Sequence, residues 1–335
     1  MKIFLAGASG AIGRRLVPML VSSGHEVVAG TTSERKLAAL REAGAEAVVL
    51  DVLDRDAVMQ ALMRVEPEVV VHQATALAAM NENFRNMDKV FALTNRLRTV
   101  GTDNLLEAAR ASGARRFVAQ SYSGWPNERK GRMVKTEDDP LDPNPVPHTE
   151  KSIAAIHHLE SVVAGATDIE GVVLRYGGFY GPGTSLAPEG AHTQAVRKRR
   201  FPIVGEGTGV WSFVHIDDAA AATLVAVERG APGIYNIVDD DPAPVREWLP
   251  VLADAAGAPP PRHVPVWLGR LLAGELVVAM MTETRGSSNA KARQELGWAP
   301  RYPSWRQGFR EVLSGNESDL GALRTPRDHS ESQAR

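Results

Sequence analysis

The chain has 335 residues, of which 44% are hydrophobic, with a formal net charge of −2 and no cysteine. This length and apolar content allow a large core, built as one elaborated domain or two closely packed ones. The small net charge argues against nucleic acid or an anionic membrane as the main partner, so a small-molecule ligand is expected. The lack of cysteine excludes disulfides, thiolate metal sites and a cysteine nucleophile, and it is compatible with a reducing cytoplasm.

The first apolar run, residues 3–6, is too short for a signal-peptide core or a membrane span, so we expect a cytoplasmic protein. The run itself predicts a strand that ends in glycine, and residues 12–21 then place apolar side chains at helical spacing. Further strands are predicted at 25–29, 47–50, 69–72, 116–119 and 171–174, and helices at 34–43, 54–64, 90–110 and 152–163. This alternation indicates an α/β fold whose parallel sheet is covered by helices on both faces.

Glycine and proline interrupt this pattern after residue 180. We therefore place a smaller substrate-binding lobe in the C-terminal part of the chain. The polar residues 314–335 lack apolar periodicity and predict a loose tail. The predicted organisation is a main domain over 1–180, a lobe over 181–210 and 239–313, and residues 211–238 returning to the main domain as strand, helix and strand.

A glycine-rich turn, GASGAIG at residues 7–13, lies between the first predicted strand and the first predicted helix. Gly7 permits the turn, Gly10 lets the backbone approach a phosphate without an intervening Cβ, and Gly13 lets the helix pack closely on the strand. Exposed N–H groups at the start of such a helix bind the diphosphate of a dinucleotide. The turn therefore predicts that residues 1–180 form a dinucleotide-binding domain.

The spacing Gly-x-x-Gly-x-x-Gly resembles the extended short-chain dehydrogenase/reductase family, also called the NAD-dependent epimerase/dehydratase family. Further matches in chain order are DVLD at 51–54, HQAT at 72–75, Asn95 with GTDNLL at 101–106, LRYGGFYGPG at 174–183, FVHIDDA at 213–219 and LGWAP at 296–300. The resemblance covers nearly all of residues 1–313. It implies a Rossmann-like, doubly wound parallel sheet with a smaller C-terminal substrate-binding lobe, and a homodimer joined through the helices predicted at 90–110 and 152–163.

The resemblance also implies where the nicotinamide dinucleotide binds. Asp51 would hydrogen-bond the adenine amine, residues 72–75 would pass beside the ribose, and the loop at 174–183 would wrap the nicotinamide. The cofactor-binding residues expected on this basis are Gly7, Ser9, Gly10, Ala11, Ile12, Gly13, Thr31, Arg35, Asp51, Val52, Gln73, Ala74, Thr75, Tyr176 and Gly178.

The end of the second predicted strand bears on the choice between NAD and NADP. NAD-binding folds usually place an acidic side chain there, where it accepts hydrogen bonds from the ribose 2′-hydroxyl. This sequence reads AGTTSERK at 29–36 and has no acid at that point. Arg14 or Arg35 could instead neutralise a 2′-phosphate, although charges at a helix start are often simply solvated. The sequence thus favours NADP, with NAD as the alternative.

The catalytic pair expected from the resemblance is missing. Hydride transfer to a carbonyl needs a proton donor, which in this family is normally a tyrosine whose pKa is lowered by a lysine four residues later. Taking Glu160 as the family's marker puts Ser152 at the tyrosine position and Ile156 at the lysine position. Starting from Lys151 puts Pro147 where the tyrosine should be. Residues 123–175 contain no tyrosine at all.

Three interpretations are open. In the first, the acid is relocated: Tyr122 follows the fifth strand and would face the substrate, with Ser121 and Lys151 as the other catalytic candidates. In the second, the cofactor supports isomerisation or dehydration. In the third, catalysis is lost and the chain is a dinucleotide sensor or binds a partner. We favour an NAD(P)-dependent oxidoreductase, epimerase or dehydratase acting on a small hydroxyl- or carbonyl-bearing metabolite. No metal site is predicted, because the adjacent His157 and His158 point about 100° apart on a helix.

Overall fold

The computed structural model describes residues 1–77 and 86–314. Seven parallel strands form the central sheet in the order β12-β7-β5-β4-β1-β2-β3. They are β1 (Lys2–Ala6), β2 (Glu26–Thr31), β3 (Glu46–Val49), β4 (Val69–His72), β5 (Arg116–Tyr122), β7 (Glu170–Tyr176) and β12 (Gly233–Ile237). The order reverses between β4 and β1, and ligands of such sheets bind at the carboxyl ends of the strands on either side of this point. The predicted fold class is confirmed.

The helices that accompany these strands cover both faces of the sheet. In the described residues the α-helices are α1 (Gly13–Ser22), α2 (Leu37–Glu42), α3 (Arg55–Val65), α4 (Met87–Val90), α5 (Ala92–Arg96), α6 (Thr102–Ala111), α7 (Glu150–Ala164), α8 (Ala191–Arg197), α9 (Ile216–Glu228), α10 (Val245–Ala255), α11 (Val266–Ala273), α12 (Glu275–Thr282) and α13 (Trp305–Leu313). A 3₁₀ turn spans Glu34–Lys36, and π-helical turns span Leu97–Gly101 and Ala292–Leu296.

Short strands pair outside the central sheet. They are β6 (Val134–Lys135) with β15 (Gly286–Ser287), β8 (Gly178–Tyr180) with β11 (Phe213–His215), β9 (Ile203–Val204) with β14 (His263–Val264), and β10 (Val210–Trp211) with β13 (Ala243–Pro244). Most of these pairs join segments from before and after β12. The part of the chain beyond Tyr180 is therefore interleaved with the main domain.

Side chains of β1 alternate between the two faces, and both faces are buried. Ile3 and Leu5 pack in one apolar cluster with residues of α1 and α9, whereas Phe4 and Ala6 pack in another with residues of α3, α6 and α7. Burial on both faces is typical of parallel sheets, whose strands are apolar throughout. The carboxyl end of β1 is thereby fixed beside α1, where the glycine-rich turn begins.

The helix predicted at residues 90–110 is present as a continuous helical segment over residues 92–111, but it is not regular. Helices α5 and α6 are separated by the π-helical turn at Leu97–Gly101, which inserts an extra residue into the helical register. The inserted turn directs Arg98 into the interior, where only 4% of the residue remains exposed. Turns of this kind in helices often occur at functional sites.

A separate aromatic cluster joins β8 and β11 to the helices α10 and α13. Phe213 lies edge-on to Trp248 and Phe309, with ring centroids 5.3 and 5.2 Å apart, and Trp305 packs beside them. Of the predicted tail only Ser314 falls within the described residues. Across residues 1–77 and 86–314, no helix is long and apolar enough to cross a membrane.

Candidate functional site

The glycine-rich turn connects the carboxyl end of β1 to α1 and touches the neighbouring loop after β4. Gly7 has φ +85°, and a Cβ there would lie 2.6 Å from the backbone of Gln73 and Ala74. A Cβ on Gly13 would lie 2.3 Å from the carbonyl oxygen of Ala8. Both contacts are impossible for a larger residue, so these two glycines are required by the backbone itself.

Gly10 is different, because a Cβ there would meet only the carbonyl oxygen of Gly7, at 3.2 Å. The space beside it is open. Within the described residues, the backbone N–H groups of Ser9, Ala11, Ile12 and Gly13 donate no hydrogen bond. Free amides at a helix start bind phosphate groups. The turn therefore fits the diphosphate of a dinucleotide.

Thr31, at the end of β2, borders this turn. Its buried hydroxyl lies 2.8 Å from the Ser9 hydroxyl and accepts a hydrogen bond from the Ser33 N–H at 3.3 Å. Arg35 follows on the exposed 3₁₀ turn and forms no ion pair within the described residues. The end of β2 thus provides the hydroxyl groups of Ser9 and Thr31 and the exposed guanidinium of Arg35. The last residue of the strand, Thr31, is not acidic.

The acidic turn at residues 51–54 follows β3, the strand next to β2 in the sheet. Asp51 is exposed and accepts a hydrogen bond from the Leu53 N–H at 2.9 Å. Val52 is buried, and its carbonyl oxygen accepts a hydrogen bond from the Asn104 side chain at 3.0 Å. This bond ties the turn to α6. The Asp51 carboxylate keeps acceptor capacity toward solvent.

The loop after β4 carries the buried Gln73 and the half-buried Ala74 and Thr75. Gln73 donates from its amide to the hydroxyl of Tyr176 at 3.2 Å, and that hydroxyl lies 2.7 Å from the hydroxyl of Thr223. Tyr176 is fully buried, so the structure places its ring in the core rather than against a nicotinamide. Burial raises the pKa of Tyr176 to about 12. Of the predicted nicotinamide loop, Gly178 is half-buried at the start of β8.

The positions of the missing tyrosine and lysine are closed. Ser152 is fully buried; its hydroxyl donates to Asp88 at 3.0 Å and accepts from the side-chain amide of Asn95 at 3.0 Å. Ile156 is also fully buried. This face of α7 therefore presents no proton donor to a ligand.

A buried ion pair lies one helical turn further along α7. Glu160 receives two hydrogen bonds from the Arg175 guanidinium, at 2.7 and 2.6 Å, and one from the Ser121 hydroxyl at 2.6 Å. Ser121 is 1% exposed, and its hydroxyl proton is used in this bond. The hydroxyl thus links β5 to α7, which favours a structural role for Ser121 over the predicted catalytic one. Lys151 lies exposed at the start of α7, where its backbone N–H donates to Asp88.

Tyr122 lies at the carboxyl end of β5 with its ring 6.3 Å from that of Trp125. In the part of the chain that the structure describes, its hydroxyl makes no hydrogen bond. Burial raises the pKa of Tyr122 to about 12, and the nearby charge of Arg98 opposes this rise. Tyr122 is therefore a protonated phenol with a free donor.

Sequence reasoning missed Arg98 and treated Glu160 only as an alignment marker. Arg98 lies between the buried Leu97 and Gly101 in a helical segment that also buries Thr94, Asn95 and Thr102, so its sequence context alone does not mark it as buried. No group of three or more histidine, aspartate or glutamate side chains among residues 1–77 and 86–314 could hold a metal ion.

Comparison with known proteins places this geometry among enzymes. The chain is 44% identical over 310 residues to a 3-diazoavenalumate denitrifying reductase from a Streptomyces species, covering 92% of this chain and 99% of that protein. It is 30% identical over 272 residues to the 2-alkyl-3-oxoalkanoate reductase of Stenotrophomonas maltophilia, covering 77% of each protein. The UDP-glucose 4-epimerase of Thermus thermophilus, solved in complex with NAD, is 25% identical, with a TM-score of 0.69 and coverage of 96% and 100%.

The sequence model of the NAD dependent epimerase/dehydratase family matches residues 3–238, from β1 to just beyond β12. The match includes the glycine-rich turn, the loop after β4 and all seven strands of the central sheet. The relatives named above are two reductases and an epimerase, which disfavours the interpretation of a non-catalytic sensor. The chain is an enzyme of the NAD-dependent epimerase/dehydratase family.

Proposed function

We propose that this enzyme is an NADPH-dependent reductase that replaces the diazo group of an aromatic compound by hydrogen, with release of N2. The observation that carries the proposal is the closed dyad position, where Ser152 is held by Asp88 and Asn95 and Ile156 is fully buried. The relative at 44% identity is named for the denitrifying reduction of a diazo compound. Aromatic side chains at Phe91 and Trp125 favour a planar ring as the substrate.

The chemistry explains why a proton donor is dispensable. A reduced nicotinamide, when bound, supplies a hydride. An aryl diazonium ion that accepts a hydride at carbon loses its carbon–nitrogen bond and becomes a neutral arene and N2, so ArN2⁺ plus H⁻ balances without a proton. Reduction of a carbonyl instead leaves an alkoxide that must be protonated. A site without a donor at 152 and 156 suits the first reaction.

The cofactor would be held by residues at the carboxyl ends of the strands near β1 and β4, where the strand order reverses. The free N–H groups of Ser9, Ala11, Ile12 and Gly13 would bind the diphosphate, and Asp51 would bind the adenine amine. The loop at 73–75 and Gly178 would line the ribose and the nicotinamide.

NADP is proposed over NAD because Thr31 ends β2 without a carboxylate and Arg35 is free for a 2′-phosphate. Arg35→Ala should weaken the binding of NADP⁺ by about tenfold, equivalent to ~1.4 kcal/mol, and leave NAD⁺ unchanged. Calorimetry with each dinucleotide measures both values. Equal losses for the two would contradict a 2′-phosphate contact.

Tyr122 is proposed as a hydrogen-bond donor to the substrate rather than as an acid that must transfer its proton. Its free hydroxyl and its pKa of about 12 keep the phenol protonated over the working pH range. Ser121, the preceding residue of β5, supports this position of Tyr122 through its hydrogen bond to Glu160. Lys151, exposed at the start of α7, stays a further catalytic candidate.

A second candidate function is reduction of a carbonyl with Tyr122 as the acid. The unengaged hydroxyl of Tyr122 favours it, as does the 30% identity to a 2-alkyl-3-oxoalkanoate reductase. The two functions differ in their need for a proton. Tyr122→Phe should abolish carbonyl reduction but leave diazo reduction within about tenfold of wild type.

The test is an anaerobic assay of the wild-type enzyme with NADPH and 4-carboxybenzenediazonium. We expect enzyme-dependent loss of nicotinamide absorbance with one N2 released per NADPH, and deuterium from [4-²H]NADPH on the ring carbon of the product. A parallel sample with heat-denatured enzyme measures the spontaneous decay of the diazonium compound. NADPH oxidation with 3-oxo acids but not with the diazonium compound, lost in Tyr122→Phe, would replace this proposal by the second candidate.

We also propose a homodimer formed through the outer face of α5, the π-helical turn and α7. Two large apolar side chains on this face, Leu93 and Val100, are 49% and 42% exposed. Leu93→Glu should convert a dimer to a monomer in size-exclusion chromatography with light scattering.

A cytoplasmic location is proposed from the absence of cysteine together with a reduced dinucleotide as cosubstrate, and cell fractionation tests it.

A further inference from the structure

Arg98 is a buried cation that has no hydrogen-bonded or ionic partner among residues 1–77 and 86–314. It lies in the π-helical turn at Leu97–Gly101, and 4% of the residue is exposed. Its guanidinium carries five potential donors, yet it donates no hydrogen bond to any of residues 1–77 and 86–314, and its Nη1 is fully shielded from solvent. Proteins rarely bury an arginine without a hydrogen-bonded or ionic partner. The missing partner is therefore expected to be a bound molecule.

Glu160 carries the carboxylate whose negative charge acts on Arg98, but its oxygens already accept hydrogen bonds from other residues. Both of its oxygens accept hydrogen bonds from Arg175, and one also accepts from Ser121. Glu160 forms no ion pair with Arg98 within 4.0 Å. Two guanidinium groups thus face a single carboxylate, and the interior of the described site carries one uncompensated positive charge.

Aromatic side chains surround this charge. The Arg98 guanidinium carbon lies 5.9 Å from the centre of the Phe91 ring, and Phe91 meets Trp125 edge-on at 6.3 Å. Trp125 in turn lies 6.3 Å from the ring of Tyr122. A flat ring fits between aromatic walls, and a planar guanidinium matches a carboxylate through two parallel hydrogen bonds.

We propose that Arg98 binds the carboxylate of an aromatic carboxylic acid, and that this anion is the feature by which the enzyme selects its substrate. The inference deepens the proposed function, because it specifies the class of aromatic compound that is reduced. The π-helical turn is the structural feature that makes it possible, since it directs one charged residue of the helix into the interior.

Binding of cinnamate tests the proposal directly. The wild-type enzyme saturated with NADP⁺ is titrated with cinnamate and with the neutral isostere cinnamamide, using calorimetry. We expect cinnamate to bind at least about tenfold more tightly than cinnamamide, which corresponds to ~1.4 kcal/mol. Arg98→Met should remove this difference, and Arg98→Lys should retain part of it. Arg96→Met, an exposed arginine two residues earlier, serves as the matched control and should behave as wild type.

Thermal stability provides a readout that does not depend on catalysis. An unpartnered buried charge destabilises the fold, so Arg98→Met without ligand should melt about 2–5 °C above wild type. Cinnamate should raise the melting temperature of wild type and of Arg96→Met but not of Arg98→Met. A purely structural Arg98 would give the opposite result, with a lower melting temperature for Arg98→Met.

The outcomes separate this inference from the proposed function. Charge-selective binding of cinnamate that depends on Arg98 supports the carboxylate site even if no diazo compound is reduced. Turnover of diazo compounds with equal affinity for cinnamate and cinnamamide overturns the carboxylate site alone. Loss of NADP⁺ binding in Arg98→Met would also overturn it, because Arg98 would then be a cofactor ligand.

Discussion

Replacement of Glu160 by glutamine should destabilise the enzyme strongly. Glu160 and Arg175 are each 4% exposed and joined by two hydrogen bonds, so Glu160→Gln leaves the Arg175 charge buried and unpaired. Breaking a buried pair in this way costs about 3–5 kcal/mol. With an unfolding entropy of about 2.1 cal mol⁻¹ K⁻¹ per residue, the 335 residues give ~0.7 kcal mol⁻¹ K⁻¹, so the melting temperature should fall by about 4–7 °C.

Differential scanning calorimetry of purified variants measures this shift. The control is Glu107→Gln, the same substitution in the exposed ion pair between Glu107 and Arg55. Exposed pairs contribute little to stability, so this variant should melt with wild type. A Glu160→Gln protein that also melts with wild type would refute the reasoning, because Arg175 would then have found another partner or solvent. The hydrogen bond from Ser121 cannot hide the effect, since a glutamine oxygen can still accept it.

Two further predictions concern the cofactor turn and the response to pH. Gly10→Val should fold normally but bind dinucleotide at least about a hundredfold more weakly, as measured by calorimetry. Gly13→Ala should fail to fold stably, because its Cβ would overlap Ala8. Normal folding of Gly13→Ala would contradict the observed packing. Burial lowers the pKa of His72 to about 4, so protonation is disfavoured in the folded state and stability falls as pH drops from about 6.5 to 4. The pH profiles of unfolding free energy for wild type and His72→Gln should therefore diverge by about 3 kcal/mol over that interval, and parallel profiles would exclude His72 as the cause.

Much of the fold was readable because its determinants are local in sequence. The glycine at residue 7 must adopt a positive φ, and the glycine at residue 13 must let a helix touch a strand, so both appear as a motif. The alternation of apolar runs with helical periodicity predicted the order of strands and helices. Parallel pairing then follows from the crossover helices, and the switch point between β4 and β1 follows from the strand order.

The catalytic side of the site was less readable because it depends on contacts between distant segments. Ser121 looked like a substrate-facing hydroxyl at a strand end, but its proton is taken by Glu160, which lies 39 residues away in the chain. Tyr176 looked like part of a nicotinamide loop, but its ring packs in the core against residues of α9. No local pattern distinguishes an exposed hydroxyl from one that closes a buried network.

The π-helical turn was invisible for a related reason. An inserted residue shifts the helical register without interrupting the helical pattern, and the single glycine of the turn, Gly101, does not identify the insertion, so residues 90–110 read as one regular helix. The shift decides whether Arg98 faces solvent or the interior. The residue that defines the proposed substrate class was therefore not among the site residues predicted from the sequence.

Arg98 and a lysine at position 156 would compete for the same negative charge. Ile156 is fully buried on α7, one helical turn before Glu160, so a lysine there would face the same interior. Three cations, Lys at 156, Arg98 and Arg175, would then share the single carboxylate of Glu160. The absence of a lysine at residue 156 is thus consistent with the limited negative charge of this interior, to which Arg98 and Arg175 already contribute two cations.

This coupling predicts the outcome of a double-mutant cycle. Ile156→Lys should be strongly destabilising in the wild-type background, and its cost should fall by about 2 kcal/mol when Arg98 is replaced by methionine, because one of the three cations has been removed. Urea denaturation of the wild type, the two single variants and the double variant measures the interaction free energy. An equal cost of Ile156→Lys in both backgrounds would mean that Arg98 and residue 156 do not share an electrostatic environment. The missing lysine would then need an explanation in packing alone.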